Sequence, residues 1–367
     1  MMNIPYGKQQ ITTEDVAAVS KALVDDFLTQ GPLIPQFEQK FAEYVGSTYA
    51  VAVSNGTAAL HLSALTLKVQ PGDKVITTAL TFAASANCIR YCGGEVIFVD
   101  IDPDTLLIDL NQVEALLSVA PRGTYKGLIP VDFAGRAVDL EQCKKLAAAY
   151  HLWILEDACH APGGHFVDAN GKNQTCGNGQ FADLAIFSLH PVKHIAAGEG
   201  GVITTNDKTL YDQLQKLRTH GITKKEGDFT NSIGQVGGHP SSGAYPGWYM
   251  EMQQLGFNYR ITDFQCALAM SQLSRASEGL KIRRTIAKKY DEAFHEHPNI
   301  TAKGLEMTQD LADKHAYHLY VIEVEQRLEL YEYLRVKGIF AQVHYYPLHL
   351  MPYYRAFGWK EGDLPVV

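Results

Sequence analysis

Lys193 closes the run Phe187-Ser188-Leu189-His190-Pro191-Val192-Lys193, and a glycine turn, Gly198-Glu199-Gly200-Gly201, follows it. Upstream, Trp153 to His160 reads Trp-Ile-Leu-Glu-Asp-Ala-Cys-His, an apolar run that ends in carboxylates. A lysine amine condenses with an aldehyde to a Schiff base, and a carboxylate such as Asp157 holds a pyridine nitrogen protonated so that the ring draws electrons from a carbanion. Together these residues predict an amine-handling enzyme that uses pyridoxal 5'-phosphate.

A phosphate needs its own seat. Ser54-Asn55-Gly56-Thr57-Ala58-Ala59 stands where an apolar run, Ala50 to Val53, turns into a helical pattern. Glycine lets a backbone approach an anion, threonine offers a hydroxyl, and the amides of a helix start attract phosphate. Many such turns merely cap a helix, and the force of this one comes from the residues downstream. Phe82, in Thr81-Phe82-Ala83-Ala84, could lie against a planar ring, although a lone phenylalanine is more often core. Ser188 could give its hydroxyl to the phosphate or merely satisfy local backbone groups. His190 and His194 flank the lysine, and His344 and His349 lie in His-Tyr-Tyr-Pro-Leu-His. No third ligand stands at a recognisable spacing, so no metal site is expected. His160, three residues past Asp157, is the better candidate for the site.

These residues need a scaffold. Short apolar runs at Lys74 to Thr78, Glu95 to Asp100, Gly127 to Phe133, Trp153 to Asp157, Ala182 to Ser188 and Gly201 to Thr205 alternate with helical patterns. Runs apolar throughout predict strands buried on both faces, hence an α/β fold with a mostly parallel central sheet flanked by helices. Helix starts are read at Thr13, Asn55 and Asp139. A polar, glycine-rich stretch from Gly221 to Gly247 breaks the rhythm, and a long helical pattern runs from Asp263 to about Glu296. We place a domain change there: a large cofactor-binding α/β domain over 1–247 and a smaller α+β domain over 248–367. Strands near Ala316 to Glu325 and Gln342 to Tyr345 are expected around a helix from Gln326 to Lys337.

The 367 residues, 46% hydrophobic and 20% charged, can bury a large core. A net charge of −8 argues against a nucleic-acid surface. No apolar stretch reaches the roughly 20 residues of a spanning helix, and the first residues lack a signal-peptide pattern, so the expected location is the cytoplasm, with no membrane partner. Six scattered cysteines form no Cys-x-x-Cys pair and read as reduced thiols.

Asn55 to Leu60, Thr81-Phe82, Glu156 to Ala161, Phe187 to Lys193, Gly198 to Gly201 and Gly256-Phe257-Asn258-Tyr259-Arg260, in this order, resemble the DegT/DnrJ/EryC1/StrS sugar aminotransferases. The likeness runs from Pro5 almost to the end. It implies the type I aminotransferase fold and a homodimer with shared active sites. Lys193 would anchor the cofactor aldehyde and shuttle protons, and Asp157 would pair with the pyridine nitrogen. Phe82 would stack on the ring, with Gly56, Thr57 and Ser188 on the phosphate. Asn258 would reach the phosphate of the neighbouring subunit's cofactor. His160, His190 and the stretch around Tyr345 and His349 would line the cofactor's substrate side. L-glutamate would give the amine and a keto sugar on a nucleotide would take it.

Within the family, the segments Trp248 to Gly256 and His344 to Arg355 look most like members that aminate C4 of UDP-linked 4-keto-6-deoxy-N-acetylhexosamines in pseudaminic acid synthesis. Alternatives are amination at C3, a dTDP- or GDP-linked sugar, or a non-catalytic relative that binds the cofactor. Dehydratases of the same fold carry histidine where Lys193 stands, and no Gly-x-Gly-x-x-Gly favours a nicotinamide enzyme. The family pattern also expects hydroxyl residues where Ala196-Ala197 stand, and a further strand and helix beyond Leu364-Pro365-Val366-Val367.

Overall fold

Five strands buried along nearly their whole length run β1 (Tyr49–Val53), β2 (Lys74–Thr78), β5 (Trp153–Asp157), β6 (Leu184–Ser188) and β7 (Gly201–Thr205). Two more, β3 (Glu95–Val99) and β4 (Tyr125–Ile129), begin exposed and end buried. They form one seven-stranded sheet in the order β1-β7-β6-β5-β4-β2-β3. This is a computed structural model, and it describes residues 3–239, 241, 243–295, 297–302 and 313–367.

Alternation along each strand sends side chains to both faces. Val51 and Val53 join one core with helices α3 (Gly56–Thr66), α4 (Ala83–Tyr91) and α7 (Lys208–Arg218). Ala50 and Ala52 point the other way, into a core with α2 (Leu33–Val45) and α8 (Asp263–Leu273). Beyond it on that face, Ile76, Leu128 and Ile154 pack with α5 (Leu110–Val119) and α6 (Leu140–Tyr150). Helices thus cover both faces, which is why these strands read as unbroken apolar runs.

The sheet is parallel except at β7, which runs antiparallel to both β1 and β6. The glycine Gly201 therefore begins β7 beside the ends of its neighbours, paired with Val53 and with Ser188. The connection 189–200 consequently leaves and re-enters the sheet at one edge.

Several expected bounds shift. The first helix, α1 (Thr13–Val24), is capped by Thr12 rather than begun at a Thr13 cap, because Thr12 and Asp15 form a reciprocal capping box. The pattern read as one helix from Asp263 to about Glu296 is two, α8 and α9 (Ala276–Phe294), broken at Ser274-Arg275; Glu296 lies outside the described residues. The strand expected over 127–133 stops at Ile129, and Phe133–Gly135 turns as a 3-10 helix around Ala134 at φ 59°. Among the described residues, only Ile322–Glu323 of the strand expected over 316–325 pairs, with Thr301–Ala302. Residues 342–345 pair with no strand among the described residues. The predicted 326–337 helix is α10 (Arg327–Val336). Beyond 248, α8 lies against α1 and α2, and Tyr354 packs edge-on to Phe98 of β3 at 5.0 Å.

Candidate active site

Parallel strands end together, and α/β sheets hold ligands beyond those ends. Here β1, β2, β4, β5 and β6 stop at one edge, over a cleft of about 700 Å³ lined by Asn55, Gly56, Thr57, Phe82, Asp157, His160, Ser188, His190, Lys193 and Tyr345, among others. The antiparallel return of β7 explains Lys193. Leu189 N–H donates to Gly200 O and Ala197 N–H to Leu189 O, closing the 189–200 loop over the edge, and Lys193 N–H donates to His190 O within it. Ala196 and Ala197 are buried at the loop's base. Burial lowers the Lys193 ammonium pKa, and the nearby Cys159 and Asp157 only partly restore it. A larger share of the amine is thereby neutral and nucleophilic.

Asp157 ends β5, and its backbone extends the sheet by bridging Val131. Its carboxylate is buried and fixed: Ser85 Oγ donates to Oδ2 at 2.6 Å, and Cys159 N–H to Oδ1 at 3.2 Å. Ser85 in turn shares a 2.9 Å hydrogen bond with Thr81.

The other part of the cleft is a glycine cradle. Asn55 caps α3, its Oδ1 accepting Ala58 N–H at 2.8 Å. A methyl on Gly56 would come within 3.2 Å of Ser188 Cβ, and one on Gly201 within 2.5 Å of Asn55 O. At Gly201 only hydrogen lets β7 lie against the helix start, and at Gly56 a side chain would push Ser188 back by a few tenths of an ångström. The first amides of a helix lack partners within it and favour anions. An electropositive helix start with two hydroxyls, a buried carboxylate and an amine of lowered pKa, all on one cleft, match the phosphate, ring nitrogen and aldehyde of pyridoxal phosphate.

His160 is buried, and its pKa falls well below the usual value, first from burial and then from the charges of Lys193, His344 and His194. Its Nδ1 accepts Ala134 N–H at 3.3 Å, which leaves the proton on Nε2. His318 lies 4.3 Å away ring to ring. Phe82 is 62% exposed, its ring 6.5 Å from that of Tyr345, so one face remains open to the cleft. His190 is exposed and stays near Ser188, whose Oγ accepts its N–H at 3.3 Å.

Two expected residues lie elsewhere. His349 is 1% exposed and packs edge-on to Trp359, because the 3-10 turn Leu348–Leu350 rotates it into the core; it does not line the cleft. Asn258 is exposed and bridges Thr219, outside this chain's own cleft, while Tyr259 next to it lines that cleft. The sequence reading passed over Thr81, Ser85, His318 and Tyr6. The Thr81–Ser85 spacing of four at a helix start was a usable signal, but nothing local marks His318 or Tyr6.

Behind the cleft, Asp132, Glu156 and Cys176 are buried, with ligand atoms within 4.8 Å of one another. Glu156 accepts Gly177 N–H, and Asp132 Oδ1 accepts Val138 N–H at 2.9 Å. Burial, then the neighbouring carboxyl, pushes the Glu156 pKa up, and burial raises Asp132. Two carboxyls so close cannot both ionise at low cost, so a shared proton accounts for the pair.

Residues 9–367 match the DegT/DnrJ/EryC1/StrS aminotransferase family. The spore coat polysaccharide biosynthesis protein SpsC of Bacillus subtilis is 36% identical, over 99% of this chain and 88% of its own. A UDP-4-amino-4,6-dideoxy-N-acetyl-beta-L-altrosamine transaminase of Campylobacter jejuni is 35% identical, over 96% of this chain and 86% of its own. The structure of Helicobacter pylori PseC, an aminotransferase involved in the biosynthesis of pseudoaminic acid, superposes with a TM-score of 0.82 at 30% identity, over 97% of this chain and 88% of its own. No helix among the described residues is long and apolar enough to cross a membrane. The chain belongs to the DegT/DnrJ/EryC1/StrS family and is a sugar aminotransferase.

Proposed function

We propose that the protein moves an amino group from L-glutamate to C4 of a UDP-linked 4-keto-6-deoxy-N-acetylhexosamine, UDP-2-acetamido-2,6-dideoxy-β-L-arabino-hex-4-ulose. The amine of lowered pKa at Lys193, held beside the fixed Asp157 carboxylate over the strand ends, is the observation that carries this reading. The names of the Campylobacter and Helicobacter relatives support the choice of sugar.

Pyridoxal phosphate, when bound, supplies an aldehyde for the amine and a ring that draws electrons from the adjacent carbon. Gly56, Thr57 and Ser188 would hold its phosphate, Phe82 would cover the ring, and Asp157 would pair with the ring nitrogen. Lys193 Nζ would be the amine that holds the cofactor's aldehyde and, once released by substrate, would carry the proton to and from the substrate carbon. His160, neutral and donating from Nε2, orients the ring's edge, and Tyr345 and His190 flank the substrate. Residues 248–367 act as the smaller unit, adding Tyr259, His344 and Tyr345 to a cleft built mostly by 1–247. Two copies share their sites: Asn258, exposed and outside its own cleft, serves the partner's phosphate, and the exposed Trp248, Met250, Met252 and Leu255 in the same stretch give a dimer an apolar face. The enzyme works in the cytoplasm, where nucleotide sugars are made.

The test is spectroscopic. The visible band of the loaded enzyme should bleach with L-glutamate and return with the keto sugar, and NMR of the product should place nitrogen at C4. Bleaching without return, or nitrogen at C3, refutes the choice of sugar; a band indifferent to glutamate refutes the donor.

A further inference from the structure

Before α1 the chain forms a strap. Ile4 pairs with Ile339, its N–H donating to Gly338 O at 2.8 Å and its carbonyl accepting Phe340 N–H at 2.9 Å. Three residues on, Gly7 packs against Val192 so closely that a methyl there would sit 3.2 Å from Val192 Cβ and Cγ1. The strap thus ties the 338–345 segment to the residue beside Lys193. Between these anchors stands Tyr6, which lines the same cleft as Lys193, His190 and Tyr345. Its hydroxyl lies 2.9 Å from His344 Nε2, and the two rings stack at 5.1 Å.

Both partners are neutral near pH 7. Burial raises the Tyr6 phenol, with Arg283 offsetting part of the rise. Burial, then the Lys193 charge, takes His344 down to about 4. One proton occupies the Tyr6–His344 hydrogen bond. If the phenol donates it, the oxygen keeps free lone pairs; if the imidazole donates it, the phenol keeps a free O–H. Either way one hydrogen-bonding position stays open, on a group whose direction the stacked imidazole fixes. A neutral dyad is a poor receptor for a carboxylate, which favours charged donors such as arginine, and a good one for a hydroxyl or carbonyl. The amino donor carries carboxylates around its reacting carbon, whereas the acceptor sugar offers hydroxyls and a ketone.

Resting on the transamination reading above, we infer that Tyr6, oriented by His344, is a specificity-determining residue that hydrogen-bonds the keto sugar and takes no part in the glutamate half-reaction. The two half-reactions separate the two claims. Protein loaded with pyridoxal phosphate is bleached with L-glutamate, then titrated with UDP-2-acetamido-2,6-dideoxy-β-L-arabino-hex-4-ulose, and binding of that sugar is also measured by calorimetry. For Tyr6→Phe the sugar should bind about five- to tenfold more weakly, as for one neutral hydrogen bond. Its glutamate half-reaction should match wild type, and its thermal midpoint should fall only by the loss of one part-buried hydrogen bond. His344→Phe keeps a stacked ring but not Nε2, and should weaken sugar binding in the same direction. Unchanged sugar binding in Tyr6→Phe overturns the inference, and so does equal weakening of both half-reactions, which marks a structural strap. A wild type that ignores glutamate instead overturns the transamination reading. One that bleaches but does not bind this sugar overturns the choice of sugar, and Tyr6 as its reader with it.

Discussion

Gly201→Ala tests whether the cradle depends on bare backbone. No positive φ is involved at Gly201, so alanine can adopt the backbone and the whole effect comes from contact. The new methyl would lie 2.5 Å from Asn55 O, 2.6 Å from Asn55 C and 3.0 Å from Gly56 N, where unstrained Cβ atoms keep about 3.4 Å. The difference between 3.4 and 2.5 Å means that the start of α3 withdraws by about 0.9 Å. A hydrogen bond of about 2.9 Å lengthened by that much is lost. Losing one charge-assisted bond to phosphate costs about 1.5–3 kcal/mol, hence roughly tenfold to a hundredfold in cofactor affinity. The apoprotein should also lose about 1–3 kcal/mol from overpacking. Gly279→Ala is the control: it lies in α9 with nothing within 4 Å of the added methyl, and should gain up to about 1 kcal/mol without touching binding. The assay is a pyridoxal phosphate titration followed by absorbance, with urea unfolding of each apoprotein. If Gly201→Ala binds the cofactor within about twofold of wild type, a shift well below one hydrogen bond, the close-approach reasoning is wrong.

Lys193→Ala should abolish the spectral response to L-glutamate while the protein still binds pyridoxal phosphate through Gly56, Thr57 and Ser188; full loss of binding by equilibrium dialysis would contradict the cradle. Glu38 sits 8% exposed, paired with Arg218 at 12%, and also accepts Ala52 N–H at 2.8 Å. Glu38→Gln should cost about 3–5 kcal/mol in urea unfolding by stranding Arg218, and Glu38→Gln with Arg218→Met should recover much of it. Asp132 and Glu156 have raised folded pKa values, so their stabilising contribution is full below the unfolded carboxyl pKa of about 4 and is lost as pH rises through the folded values. Glu156→Gln stays neutral throughout, so its stability minus that of wild type should grow between about pH 5 and 8 in thermal melts; a constant difference refutes the shared proton. His160, His194 and His318 have lowered folded pKa values and act oppositely. Their contribution is full above about pH 6.5 and fades as pH falls, so His318→Asn should lessen the wild-type loss of stability between about pH 6.5 and 4.

The fold was legible where strands are buried on both faces. β2, β5 and β7 fall within the bounds read from the sequence, because an unbroken apolar run admits few other accounts. The direction of β7 was not legible, since hydrophobicity carries no sign of which way a strand runs. Past residue 300 the reading weakened. Tyr317 to Tyr320 is largely apolar and partly buried yet takes no strand conformation, because its backbone bonds to the Ala134 turn: Leu319 N–H donates to Ala134 O at 3.0 Å. In the site, Asp157 and Ser188 stood out because each ends an apolar run, Gly56 because it follows one at a helix start, and Lys193 because it precedes a glycine turn; strand ends are where this sheet opens. His349 misled because it shares a motif with His344, and a 3-10 turn separates their directions. Tyr6 reaches the site only through tertiary pairing 338 residues away, which no local pattern encodes.

The pairing of β7 between β1 and β6 has a consequence for assembly. Val53 and Gly201 come together across a sequence separation of 148, and Ser188 completes the contact from a third strand. A chain with any of these three strands unpaired has Lys193 and the α3 start but no phosphate seat between them. Long-range pairings of this kind carry the largest loop-closure cost and are made late. The cofactor thus has affinity for the finished sheet and almost none for its precursors, so by mass action it draws the population toward complete strand pairing. Saturating pyridoxal 5'-phosphate should therefore raise the unfolding midpoint of this protein, independently of its role in turnover.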